Sequence, residues 1–177
     1  AGLAVADEGA LVQECAAGLL PVRIERAGDG RRIHVRAPDA TLAPVVDGDV
    51  EALRQALGVA PLASPAPQVV DNGPHWWVAG FSDEATLRGL EPDMGRLAAL
   101  TAQRKAVGVA AWARSNEDGI GLVVRCFCPG DGIPEDPVTG SGNAAVAAFL
   151  QAHDALPGEE WIASQGREVG RDGRVVM

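Results

Sequence analysis

Tyrosine is absent from the 177 residues, and three Phe and four Trp leave the chain only 4% aromatic. So few rings argue against a base-stacking platform for single-stranded nucleic acid. Basic residues are also short: 15 Lys and Arg face 24 Asp and Glu, for a formal charge of −9. A negative field of that size disfavours nucleic acid and acidic membrane surfaces, and neither is expected as a partner. No apolar run reaches the roughly 18 residues that a membrane-spanning helix needs. The cysteines are Cys15, Cys126 and Cys128. An odd number of thiols in a chain of this size fits a reduced, cytoplasmic setting better than a disulfide scaffold. Cys126 and Cys128 lack a second pair or a clustered His, so no metal is expected. On a strand both thiols face one side, where core packing accounts for them. The 47% hydrophobic content excludes disorder and suffices for one domain or two small lobes. The partner these absences leave is a small molecule.

Apolar periodicity then sets out the elements. Residues 1–6 read as the end of a helix, and Leu11–Glu14 and Leu19–Arg26 as strands. Gly28-Asp-Gly30 turns the chain into Arg32–Ala37, completing a β-hairpin. Leu53 and Leu57 define a short amphipathic helix over Val50–Leu57, stopped by Gly58. Pro61, Pro65 and Pro67 mark a linker. Strands are expected at Gln68–Val70 and His75–Ala79, helices after Asp83 and Asp93, and an apolar strand pair at Val107–Arg114 and Ile120–Phe127. A Gly/Pro-rich loop over Pro129–Thr139 leads to a helix at Ser141–Ala152, and Trp161–Ser164 and Val175–Val176 supply the last strands. Antiparallel runs interrupted by single helices indicate an α+β fold. The apolar start and the closing strand signal Arg174-Val-Val-Met177 read as a piece of a longer protein.

The Ser141–Ala152 helix is apolar on every side, through Ala144, Ala145, Val146, Ala147, Ala148, Phe149 and Leu150. A surface helix shows a polar face, so this one is expected to be buried all round, threaded through a curved sheet.

The segment from Gly132 to Asn143 carries the chemistry. Pro134 and Pro137 stiffen it, Thr139 or Ser141 serves as N-cap, and Gly140 and Gly142 remove side-chain obstruction. The first-turn N–H groups of the helix are then left to face an anion such as a carboxylate. Two carboxylates, Glu135 and Asp136, stand just before it. An acidic group beside an anion site makes sense where a proton is moved on a carboxylate-bearing substrate. The plainer reading is that Asp136 closes an Asx turn before Pro137. A dinucleotide fingerprint at Gly140-x-Gly142-x-x-Ala145 lacks a strand running into its first glycine. A P-loop lacks its Lys, and a hydrolase elbow lacks its flanking glycines. His153 lies some 18 Å of helix rise from Ser141, which excludes a Ser-His-Asp triad.

The run from Glu135 through Asp136-Pro-Val-Thr-Gly-Ser-Gly-Asn143 to Ala145 resembles the second-lobe signature of the PhzF-like phenazine biosynthesis family. The resemblance extends to Arg125-Cys-Phe-Cys-Pro129, Gly73-Pro-His75, Ala17-Gly-Leu-Leu-Pro-Val22, Ala155-Leu-Pro157 and Gln165-Gly166. It implies a diaminopimelate epimerase-like fold: two similar lobes, each a barrel-like antiparallel sheet around a central helix, with the active site between them. On that basis residues 1–45 are a remnant of the first lobe, 46–67 a crossover and linker, and 68–177 the second lobe, its central helix at about 141–152. The family implies a cofactor-independent isomerase or epimerase, a homodimer, acting by proton transfer on a small carboxylate-bearing metabolite. Its first-lobe glutamate and histidine have no counterpart here, so the piece alone is expected to be inactive. Asp136 is the one catalytic candidate. Thr139, Gly140, Ser141, Gly142 and Asn143 are the substrate-binding candidates. No cysteine stands in the Asp136–Ser141 loop, so a two-cysteine racemase mechanism finds no support. The alternative is a non-catalytic binding protein on the same fold.

Overall fold

A computed structural model describes residues 9–15, 18–28 and 30–177. The helix end expected over residues 1–6 lies outside them. The chain forms two compact units, Ala1–Asp39 and Ala40–Met177. The segment 46–67 lies within the second unit. Its helix is anchored there by Leu53 and Leu57, both fully buried, and the Leu62 N–H donates to the Gly80 carbonyl at 2.8 Å.

The first unit holds an antiparallel sheet of β1 (Gly9–Cys15), β2 (Gly18–Ala27) and β3 (Gly30–Val35), in that order. The expected hairpin is β2–β3, with Ile24 opposite Ile33. Ile24 is buried, whereas Leu11, Val12, Leu19, Ile33 and Val35 are exposed.

The second unit is built on one mixed sheet. Its elements in chain order are β4 (Thr41–Leu42), α1 (Asp49–Leu57), β5 (Gln68–Asp71), β6 (His75–Gly80), α2 (Glu84–Arg88), α3 (Met94–Gln103) and β7 (Gly108–Arg114). Then follow β8 (Leu122–Cys128), β9 (Ile133–Asp136), α4 (Gly140–Ala152), β10 (Ile162–Gln165) and β11 (Gly173–Val176). The strands run β11-β10-β8-β7-β6-β5-β4, with β9 also pairing β8. The α+β class holds, but the sheet is not purely antiparallel: β6 pairs β7, and β8 pairs β10, in parallel. Helices cross over between the members of each of these pairs, returning the chain to the starting end.

Strand alternation assigns the two faces. Val69, Trp77, Val109, Ala111, Val123 and Phe127 pack with Leu53, Leu87, Leu97 and Leu100 of α1–α3. Val70, Trp76, Val78, Ala110, Val124, Cys126 and Cys128 pack with Ala145, Val146, Phe149 and Leu150 of α4. Helices on both faces make the central strands largely apolar, with Arg125 the charged residue within β8. Burial of Phe149, Leu150 and Val146, at about 1.5–3 kcal/mol each, holds α4 to the sheet.

Along α4, Gly142, Asn143, Ala145, Val146, Phe149 and Leu150 are buried, while Ala144, Ala147 and Ala148 are half-buried. The apolar cluster that contains α4 is joined by side chains from both ends of the sheet, Leu42 of β4 and Val175 of β11.

Candidate functional site

Strand β8 divides its edge between two partners. Leu122–Val124 pair with β10, whereas Cys126 and Cys128 pair with β9 across a bulge. Gln165 therefore stands opposite Val124 and Asp136 opposite Cys126, only two residues further along β8. The C-terminal ends of β9 and β10 meet there, and α4 starts from the same place. The Pro129–Thr139 segment, expected as loop, thus contains a 3₁₀ turn (Pro129–Asp131) and β9. Pro134 is tolerated because β9 pairs with β8 only at Ile133 and Asp136, with the bulge between.

Alternation along β9 separates the two carboxylates that the sequence places together. Glu135 turns to the α1–α3 face and meets Arg125. The Arg125 Nε donates to Glu135 Oε1 at 2.9 Å and Nη2 to Oε2 at 2.7 Å, with both side chains less than a tenth exposed. Nη1 donates to the carbonyls of Leu87 (3.2 Å), Arg88 (2.9 Å) and Leu90 (2.9 Å), closing the end of α2. The guanidinium also lies 4.9 Å from the Phe127 ring centre. Glu135 is therefore a structural ion-pair partner and not a second acid beside the anion site.

Asp136 turns to the α4 face, where it is not unpaired. The Thr139 hydroxyl donates to its Oδ2 at 2.6 Å. Gln165, fully buried, uses all of its amide: Nε2 donates to the Asp136 carbonyl (2.8 Å) and to Thr139 Oγ1 (2.9 Å). Its Oε1 accepts from the Thr139 N–H (3.1 Å) and from Asn143 Nδ2 (2.8 Å). Asn143 Nδ2 donates as well to the Thr139 carbonyl at 2.9 Å. Thr139 is the N-cap by position, but its side chain makes no capping bond. The Thr139 hydroxyl and the Asn143 side-chain nitrogen, on two residues expected as substrate contacts, take part in building the turn.

The N–H groups of Gly140, Ser141 and Gly142 precede the first intrahelical bond of α4, from the Asn143 N–H to the Thr139 carbonyl at 3.0 Å. They have no hydrogen-bond acceptor among the described residues, and they stand at the positive end of the helix dipole. The Ser141 hydroxyl accepts from Trp76 Nε1 at 3.2 Å, and the Ser141 carbonyl accepts from Asn72 Nδ2 at 2.9 Å. Asn72 is buried, and its Oδ1 has no partner.

The two glycines differ in role. A Cβ on Gly142 would lie 2.7 Å from Cys126 Sγ and 3.2 Å from Thr139 Cγ2, so this glycine faces the sheet and allows α4 to approach β8. A Cβ on Gly140 would meet nothing within 4 Å. A larger residue at position 142 thus disrupts helix packing before it obstructs a ligand. Gly142→Ala is expected to cost about 1–3 kcal/mol through overpacking. Gly140→Ala should leave stability unchanged or slightly raised by restricting the unfolded chain. Thermal denaturation of the two variants checks this, and equal melting temperatures would contradict the assignment.

The thiols are inert in this setting. Burial pushes Cys126 well above the ordinary thiol range, and the Thr139 hydroxyl offsets little of that. Cys128 is pushed up to about 11 by burial, with the charges of Asp136 and Asp131 adding. Both stay protonated near neutrality and act as core side chains, as expected. Among the described residues, no three His, Cys, Asp or Glu come together as a metal site. None of the helices there is long and apolar enough to cross a membrane. His153, at the far end of α4, faces Gln68 Oε1 at 2.8 Å. On the opposite face of the sheet, a crevice of about 310 Å³ is lined by Asp49, Asp71, His75, Trp77 and Arg104 among others. Its polar side chains already meet one another, His75 with Asp71 at 3.2 Å and Arg104 with Asp49.

Gln165, Asn72 and Trp76 have no assigned role in a reading of the sequence alone. The available signal for Gln165 is a long polar side chain ending the apolar strand Ile162-Ala-Ser-Gln165, where an unpaired amide would be costly.

Asp136, at the end of β9, is thus bonded to Thr139, the N-cap of the sheet-packed helix α4. The phenazine biosynthesis-like protein family matches residues 2–177, and the chain belongs to that family. An uncharacterized isomerase of Clostridium acetobutylicum is 32% identical over 166 residues, covering 89% of this chain and 55% of that protein. The crystal structure of a PhzF-family phenazine biosynthesis protein from Bacillus anthracis superposes with a TM-score of 0.81 at 20% identity. That match covers 97% of this chain and 60% of the other. A predicted epimerase from Pseudomonas aeruginosa gives a TM-score of 0.76 at 23% identity, over 96% of this chain and 59% of the other. The α+β fold is thus that of the PhzF and diaminopimelate epimerase-like proteins. The chain spans somewhat over half the length of these relatives.

Proposed function

We propose that this chain is the second-lobe part of a cofactor-independent isomerase or epimerase that moves a proton on a small carboxylate-bearing metabolite. The observation that carries the reading is the coupling of Asp136 to the start of α4: its Oδ2 is bonded to Thr139, the residue from which the unpartnered N–H groups of Gly140, Ser141 and Gly142 follow. In this reading the substrate carboxylate rests on those N–H groups, which favour an anion by about 0.3–1 kcal/mol through the helix dipole alone. Asp136 then holds or passes a proton at the neighbouring carbon. The resemblance assigns the opposing acid/base to a glutamate of the first lobe, which this chain does not contain, so turnover requires a protein of the relatives' full length. The names of the curated relatives, uncharacterized isomerases, support the same reading.

The test is solvent exchange. A protein of that length, incubated in D2O with a panel of amino acids and hydroxy acids, is expected to exchange the hydrogen next to the carboxylate of one of them, read by proton NMR. Saturable binding of a carboxylate without exchange or rearrangement of any panel member would favour the non-catalytic binding protein instead.

A further inference from the structure

Which of the two Asp136 oxygens exchanges the proton follows from hydrogen-bond polarity. Gln165 is held in one orientation by main-chain groups that cannot reverse their roles. The Thr139 N–H only donates, so the amide atom facing it is Oε1, and the Asp136 carbonyl only accepts, so the atom facing it is Nε2. Nε2, a donor, also reaches Thr139 Oγ1 at 2.9 Å. The Thr139 proton therefore cannot point at Gln165. Its hydrogen-bond acceptor is Asp136 Oδ2, at 2.6 Å. Oδ1 has no hydrogen-bond partner among the described residues.

We infer that Gln165, acting through the Thr139 hydroxyl, is a positioning residue that occupies Oδ2 of Asp136 and leaves Oδ1 as the proton-transferring oxygen. The inference rests on the proposed proton-transfer function and adds to it the identity of the reacting atom and the relay that presents it. Gln165 is 29 residues from Asp136 in the chain, so the relay also ties the end of β10 to the end of β9. A carboxylate held by both its main-chain carbonyl and one side-chain oxygen has little rotational freedom. Proton transfer depends steeply on such alignment.

Two measurements test this. The first needs no activity. In this chain, the Gln165 side-chain amide protons are expected to give two resolved NMR signals that exchange slowly with water. Each has an acceptor within the protein, and the donor itself is fully buried. In T139V one of the two should shift and exchange faster, and in T139S both should resemble the parent. Rapid exchange of both in the parent, or no change in T139V, would overturn the relay. The second uses the protein of full relatives' length. T139V keeps the side-chain shape, so kcat is expected to fall about tenfold or more with KM nearly unchanged, and T139S should restore most of it. A parental kcat in T139V, or T139S no better than T139V, would overturn the positioning role. If T139V and Asp136→Asn both turn over normally, it is the proposed function that fails. A damaged Asp136→Asn beside an intact T139V removes the relay alone.

Discussion

Asp136→Asn, in a protein of the relatives' full length, is expected to lower turnover on the order of 10²-fold or more while substrate binding is kept. The variant preserves size and the geometry of the turn. Its amide oxygen can still accept from the Thr139 hydroxyl, which donates at 2.6 Å in the parent. Gln165 donates to the main-chain carbonyl of residue 136, which the substitution leaves in place. What changes is the group at Oδ1: an amide nitrogen can neither take up nor release a proton near neutrality. Deuterium incorporation from solvent should fall in parallel with turnover. Binding of a carboxylate probe should not change, since the N–H groups of Gly140, Ser141 and Gly142 are untouched. If Asp136→Asn turns over like the parent while Asp136→Ala loosens the loop, Asp136 is a turn residue, and the chemistry lies with groups outside this chain.

Much of the second unit is legible in the sequence because its signals are local. Leu53 and Leu57 at helical spacing, with Gly58 behind them at φ 76°, mark α1 and its end. Asp83 and Asp93 accept from the N–H groups of Thr86 and Arg96, as N-caps three residues upstream should. The apolar runs at β7 and β8, interrupted in β8 by Arg125 alone, are those of strands covered on both faces. What the sequence hides is set by partners distant along the chain. β9 reads as loop because Pro134 and Pro137 suppress the strand signal, and only its pairing with β8 reveals it. The parallel pairs are concealed because periodicity carries no strand direction.

The same limits apply to the candidate site. Thr139, Gly140, Ser141, Gly142 and Asn143 stand together at the start of α4, where the motif locates them. Their division of labour is not visible in the motif. The Thr139 N–H and the Asn143 side-chain nitrogen both donate to Gln165, which lies 26 and 22 residues away. Gly142 is small because Cys126 lies beneath it, and Gly140 faces open space. A motif reports which residue types are present. It takes the third dimension to tell those that build the turn from those left free to meet a ligand.

Arg125 supplies the largest expected effect on stability. It pairs with Glu135 through two hydrogen bonds and also serves the carbonyls of Leu87, Arg88 and Leu90. Arg125→Met leaves the Glu135 charge buried without its partner, at a cost of about 3–5 kcal/mol. It also strips the Arg88 and Leu90 carbonyls of the donor that Arg125 supplies, while the Leu87 carbonyl keeps the Leu90 N–H. Each buried acceptor left bare costs about 1–3 kcal/mol where water cannot replace the bond. Glu135→Leu removes the other half of the pair but leaves Arg125 bonded to those carbonyls and lying over Phe127. The two single variants should therefore differ, with Arg125→Met clearly the less stable in urea denaturation. In the double variant the bare Glu135 charge is gone, so it should recover part of the loss, while the unserved carbonyls keep it below Glu135→Leu. Equal losses in the two single variants would mean that the ion pair alone matters and that Arg125 does not hold the end of α2 to the sheet. Because Glu135 precedes Asp136 on β9, the same substitution should also loosen the strand that presents the candidate acid/base.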